Sequence, residues 1–207
     1  GNDASATVGH GLGVAPKFVM VKRRNGAGDW IIGHDGLASN AFANNKFLKF
    51  TSNSTFTNSL VWGSQPTSTV VQIVTGSGAG NLNGSSDTYV MYCFSEVAGY
   101  SKFGSYKGNG SSDGTFVFLG FKPAYVLVKD ISSSYSWDLH DNKRDPDNVT
   151  EKSLAPNLSN AEDTYDAKDF LANGFKLRSS SNSLNKSGDT YIYLAFAESP
   201  FKYSRAR

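Results

Sequence analysis

Two His-Asp pairs, His34-Asp35 and His140-Asp141, carry the residue types from which a zinc site or an oriented general base is made. With His10 they account for all three histidines, and the pairs stand about a hundred residues apart. Neighbouring residues on a strand point to opposite faces, so an adjacent His and Asp rarely serve one ligand. The spacing predicts a structural role and no metal site. Gly110-Ser111-Ser112-Asp113-Gly114 fits the nucleophile pattern G-x-S-x-G. That chemistry needs a helix after the serine, and here a strand pattern follows at Thr115. Gly76-Ser77-Gly78-Ala79-Gly80 is loosely like a dinucleotide loop, with its third glycine misplaced and no helix behind it. Asp141–Asn148 is rich in oxygen donors, but Lys143 and Arg144 oppose a cation and no EF-hand spacing is present. The sequence therefore predicts no catalytic residue, no metal and no cofactor. Four aromatic side chains remain as platforms for a sugar ring: Trp30, Trp62, Trp137 and Tyr135. Trp30 and Trp137 recur at matching positions of a repeat, which predicts core residues. Trp62 and Tyr135 have no repeat partner and lie near loops, so they are the candidate ligand-binding residues.

The elements that must position these groups are duplicated. Leu12–Lys22 returns as Leu119–Lys129 with six of eleven residues identical, at an offset of 107. Ser85–Glu96 returns as Ser187–Glu198 with six of twelve identical, at an offset of 102. Between them Trp30…His34-Asp35 is echoed by Trp137…His140-Asp141. Three blocks in one order mean a tandem duplication of a unit near 100 residues, too long for a solenoid repeat. The boundary is placed at 1–102 and 103–207, near the glycine-rich Gly104–Gly114, and Phe103–Tyr106 is a candidate first strand of the second unit.

Short runs rich in Val, Ile, Phe and Tyr, separated by Gly, Asn, Ser and Pro, read as strands. They are Lys17–Lys22, Trp30–Ile32, Phe47–Phe50, Val70–Val74 and Tyr89–Phe94, then Thr115–Phe118, Ala124–Lys129, Ser136–His140, Phe175–Arg178 and Thr190–Ala197. Tyr89–Phe94 is apolar on both faces, which predicts a strand covered from two sides. Asp163–Leu171 reads as a short helix or loop. With no long helical crossover, the strands must pair antiparallel. The prediction is an all-β protein of two tandem, related antiparallel β-sandwich units, jelly-roll-like.

Of the 207 residues, 18% are charged and 13% aromatic, with a net charge of +2. So weak a field gives no case for nucleic acid, and the basic tail Lys202, Arg205, Arg207 is too short to change this. The longest apolar runs are too short to span a membrane, and no stretch reads as a signal peptide. Cys93 is the single cysteine, so no intrachain disulfide is available, and its strand setting predicts a buried, inert thiol.

Several stretches together resemble a known family. They are His10–Lys17 and Tyr92–Tyr106 in the first half, and in the second Gly104–Gly110, Asp113–Val117, Gly120–Lys129, Asp145–Asn148, Asn173–Arg178 and Thr190–Tyr203. The chain resembles a domain of unknown function that recurs in tailed-bacteriophage structural proteins, often in tail-fibre-like chains. The resemblance implies a virion structural protein on the particle surface, without enzymatic activity. It implies host attachment and contacts to other virion proteins, and weakly charged strands apolar on both faces predict a homo-oligomer, packed against copies of the same chain. A carbohydrate-binding module reading a host cell-surface glycan and a capsid decoration or head-fibre protein are the alternative readings.

Overall fold

The structure, a computed structural model, describes residues 1–57, 61–74, 82–164 and 166–199. It is almost entirely β and every strand pairing is antiparallel. The chain divides into two compact units, Gly1–Ser95 and Glu96–Arg207.

The first unit holds β1 (Ala6–Gly9), β2 (Phe18–Arg23), β3 (Ile31–His34), β4 (Lys46–Lys49), β5 (Thr55–Thr57), β6 (Val70–Ile73) and β7 (Tyr89–Phe94). One sheet runs β5-β4-β3-β2-β7 and a second pairs β1 with β6. Val19, Val21, Ile31 and Phe47 of the large sheet share one core with Val71 and Ile73 of the small one, and with Phe42, Val61, Trp62 and Leu82. The second unit holds β8 (Ser101–Lys107), β9 (Phe116–Phe118), β10 (Pro123–Asp130), β11 (Asp138–Asp141), β12 (Lys168–Leu171), β13 (Gly174–Leu177), the one-turn helix α1 (Asn182–Asn185) and β14 (Thr190–Ala197). Its sheets run β11-β10-β14-β8 and β12-β13-β9. Alternate residues of both (Val126, Val128, Tyr191, Tyr193 against Val117, Phe175, Leu177) fill the space between them. Each unit is thus sandwich-like, as period-two patterning requires. In the second unit the first strand pairs with the last and the second with the last but one, β10 also pairs with β14, and β10–β11 and β12–β13 are local hairpins.

The repeat is kept at the level of single residue pairs. Phe18 faces Phe94 across β2–β7, and Tyr125 faces Phe196 across β10–β14. Both aromatic pairs have ring centroids 5.8 Å apart. The two blocks carry different sequence offsets, and the strand register keeps both.

A polar clasp is duplicated as well. Asn83 Nδ2 donates to Asn2 Oδ1 at 2.8 Å and to the Ala4 carbonyl at 2.5 Å. Asn185 Nδ2 donates to Asn109 Oδ1 at 2.9 Å and to the Ser111 carbonyl at 2.7 Å. Tyr89 Oη accepts from the Gly84 amide and Tyr191 Oη from the Lys186 amide. Where the first unit has Asp3 and Ser86 at positive φ, the second has Gly110 and Gly188, residues that enter this region without steric cost. Residues 1–4 are therefore the counterpart of residues 108–111.

Several readings need correcting. Asp163–Leu171, expected as a short helix or loop, ends in β12, which pairs with β13 and buries Lys168 and Phe170. β8 begins at Ser101 and pairs along its whole length with β14, so the second compact unit opens ahead of residue 103. Strands β1 and β5, of four and three residues, are too short to show a period-two pattern in sequence. β7 is only half-buried, not covered on two sides. The glycine run 76–80 and the basic tail lie outside the described residues.

Candidate functional site

A cavity of about 420 Å³ opens in the second unit beside the start of β11. Trp137, Asp138 and Asp166 are its buried wall; Leu154, Ala155 and Leu158 supply apolar surface; Tyr135, Asn160 and Ser183 supply polar groups. The long excursion from β11 to β12 shapes it. Leu139 bridges Leu154, Ser153 bridges Asp163 and Thr150 bridges Lys168, which pins the excursion at three places. Arg144 reinforces it with ion pairs to Asp141 at 2.6 Å and Glu162 at 3.1 Å and a bond to the Leu139 carbonyl.

Behind the cavity lies an ionic group. Lys168 Nζ donates to Asp138 Oδ1, and it stands 2.7 Å from His140 Nδ1. His140 Nδ1 is 2.9 Å from Asp138 Oδ1, and its Nε2 donates to the Asp166 carbonyl at 2.6 Å. His140 and Lys168 are wholly buried. Burial alone would push the Asp138 carboxyl up; the Lys168 ammonium and His140 outweigh it and hold the group well below the usual carboxylate range. Asp166 differs: burial, and then the charge of Asp138, push its carboxyl up. One Asp166 oxygen accepts from Ser183 Oγ at 2.7 Å, and the other, Oδ1, is buried without a hydrogen-bond partner. An orphaned buried acceptor in a cavity wall is a place for a ligand hydroxyl. His140 cannot serve as a base toward a substrate there, because both ring nitrogens are engaged and no part of it is exposed.

The aromatic residues divide. Tyr135 is half-buried and lines the cavity. Trp62 offers no face to a sugar: it is fully buried in the first unit, packs edge-on against Phe42 at 5.2 Å and donates from Nε1 to the Lys46 carbonyl at 3.2 Å. Its isolation in sequence reflected a core position without a repeated partner. Trp137 is core, as its repetition predicted, but Trp30 is half-exposed, stacked on Tyr92 at 6.3 Å with Lys22 over its ring.

Of the other motifs, Ser112 sits in an exposed turn ahead of β9. Two carboxylates of Asp141–Asn148 already serve the chain: Asp141 binds Arg144, and Asp145 accepts from the Glu151 and Lys152 amides. Cys93 is half-buried on β7, its thiol pushed up to about 11 by burial. Sequence reasoning missed Asp138, Asp166 and Lys168. The signal was there, since a lysine and an aspartate alternate with apolar residues on strands whose neighbours are core.

Fold and site define a class: an almost all-β chain of two compact antiparallel units, the second of which carries a polar cavity. Over residues 1–200 the chain matches the family described as a domain of unknown function (DUF7483), and it belongs to that family. No curated protein and no solved structure matches it.

Proposed function

We propose that the chain is a structural module of a bacteriophage virion, in a tail fibre or another surface appendage, that contributes to host attachment. The observation that carries this reading is the doubled scaffold: one register built twice, with a ligand-sized cavity in the second unit only partly filled by its own polar groups. The motif resemblance to tailed-phage structural chains supports the setting. Phe116 and Phe118, both exposed on β9, supply apolar surface for contact with copies of the chain or with other virion proteins. The test is adsorption of the labelled chain to intact bacterial cells. Saturable adsorption to some strains and not others is the expected result; uniform absence of adsorption across cells that such a phage infects would overturn the attachment role.

A second reading, a module that binds a cell-surface glycan directly, rests on Tyr135, Asp166 and Asn160 at one cavity. An aromatic face with nearby acceptors and donors is what a pyranose ring requires. A panel of bacterial surface polysaccharides separates this reading from a purely structural one. Binding that falls at least tenfold in Tyr135→Ala supports it, and binding unaffected by that change rejects the cavity as the site.

A further inference from the structure

The second unit contains a strand that the described part of the first unit lacks. β8 pairs with β14 over seven residues, from Ser101 opposite Phe196 to Lys107 opposite Thr190. The counterpart of β14 is β7, which pairs with β2 on one side and, among the described residues, with no strand on the other. Burial records the difference. Tyr193, Leu194 and Ala195 are 4%, 5% and 0% exposed. Their counterparts Met91 and Cys93 are half-buried, and Tyr92 is 45% exposed.

A cavity of about 680 Å³ lies against this part of β7, lined by Val21, Leu82, Tyr89, Met91 and Cys93. In the second unit the matching place is occupied by Tyr106 of β8. Its ring stacks on Tyr191 with centroids 5.0 Å apart and planes 11° apart, and its hydroxyl donates to the Leu184 carbonyl at 2.9 Å. Tyr191 and Leu184 are the repeat partners of Tyr89 and Leu82.

The entry point matches too. Gly108, the residue after β8, donates its amide to the Asp189 carbonyl, and Gly1 donates to the Asp87 carbonyl. The Ser86 and Gly188 amides donate to the carbonyls of Gly1 and Gly108 respectively. A strand laid against β7 as β8 lies against β14 would end at Gly1.

We infer that the outer edge of β7 and the cavity beside it form a strand-acceptor slot, filled by an extended stretch of about seven residues that leads into Gly1, antiparallel to β7, with an aromatic side chain two residues ahead of Gly1 in the cavity. Backbone pairing along Val90–Cys93 supplies affinity, and the cavity supplies register. The inference rests on the internal repeat and is independent of the attachment role.

The test grafts the β8 sequence Ser-Lys-Phe-Gly-Ser-Tyr-Lys directly ahead of Gly1 in the full chain. Hydrogen exchange of those Val90–Cys93 amides that point away from β2 and alkylation of Cys93 are then followed. At least tenfold slower exchange and slower alkylation are expected, both reversed when the tyrosine of the graft is replaced by serine. A graft with the same composition in scrambled order controls for added length and must leave both rates unchanged. No protection by the intact graft, or equal protection by the scrambled one, overturns the inference. Protection that appears in the ungrafted chain as its concentration rises, and that the graft does not alter, assigns the edge to a second copy and also overturns it.

Discussion

His34 of the first unit and Asp141 of the second occupy the same place in their sheets. Phe18 pairs with His34 across β2–β3, and its repeat partner Tyr125 pairs with Asp141 across β10–β11. The two His-Asp pairs are therefore one residue out of step, and one residue on a strand is a change of face. His140 stands where the first unit has Gly33, and Asp138 where it has Ile31. A side chain at Gly33 would run into the Phe42 ring, which packs on Trp62. One unit fills this part of its core with Ile31, Phe42 and Trp62. The other fills it with an aspartate, a histidine and a lysine, and opens a cavity beside them.

Breaking the ionic group from one side is expected to be costly. Lys168→Met leaves the Asp138 charge buried without its ammonium, at about 3–5 kcal/mol. Asp138→Leu combined with Lys168→Met, which brings the site nearer to the apolar first unit, is expected to cost less than the sum of the single changes. Urea unfolding of the three variants checks both. The pH dependence has a definite sign. The folded-state pKa of Asp138 is depressed below the ordinary 3.8, so its contribution is present above that value and lost as pH falls below it. Asp138→Asn should flatten the loss of stability below about pH 4.

Lys129 gives the opposite limb. It is wholly buried, and burial pushes its ammonium down to about 8 from 10.5. Between these values the unfolded chain binds more protons than the folded one, so this group adds stability as pH rises from about 8. Lys129→Met should remove that rise, by about 1–3 kcal/mol at pH 10, in chemical unfolding measured from pH 7 to 10.

The two repeated tryptophans should behave differently. Trp137→Ala empties a buried position and is expected to cost about 3–5 kcal/mol. Trp30→Ala removes a half-exposed ring stacked on Tyr92 and should cost about 1 kcal/mol or less. Equal shifts in melting temperature would contradict the difference in burial.

The duplicated clasp can be compared across units. Asn185 is fully buried and its Nδ2 serves three oxygens, those of Asn109, Ser111 and Ser179. Asn185→Ala should cost about 2–3 kcal/mol, because the carbonyls it satisfies stay in the protein without it. Asn83→Ala removes the bonds to Asn2 and Ala4 and should destabilise the first unit in the same way. Thermal unfolding of the two variants checks both losses.

Much of the architecture was legible because duplication shows in sequence as repeated blocks and strands show as period-two runs. Tyr89–Phe94 and Thr190–Ala197 are strands at the residues the pattern marked. What misled was local likeness without register. The His-Asp echo is real as letters and shifted by one residue as structure, and Trp62, without a repeat partner, is a fully buried core residue. The candidate site was half legible. Tyr135 lines the cavity, whereas Asp138, Asp166 and Lys168 come together only through pairing between segments about thirty residues apart, which no local window contains.

The proposed virion role is tested most directly by where the chain resides. Antibodies raised against it and carried on gold, applied to tailed particles released by cells that encode it, give the answer by electron microscopy. Label on a fibre or another surface appendage is the expected result. Particles that carry no label, with the chain recovered only from the soluble fraction of those cells, would contradict the virion role.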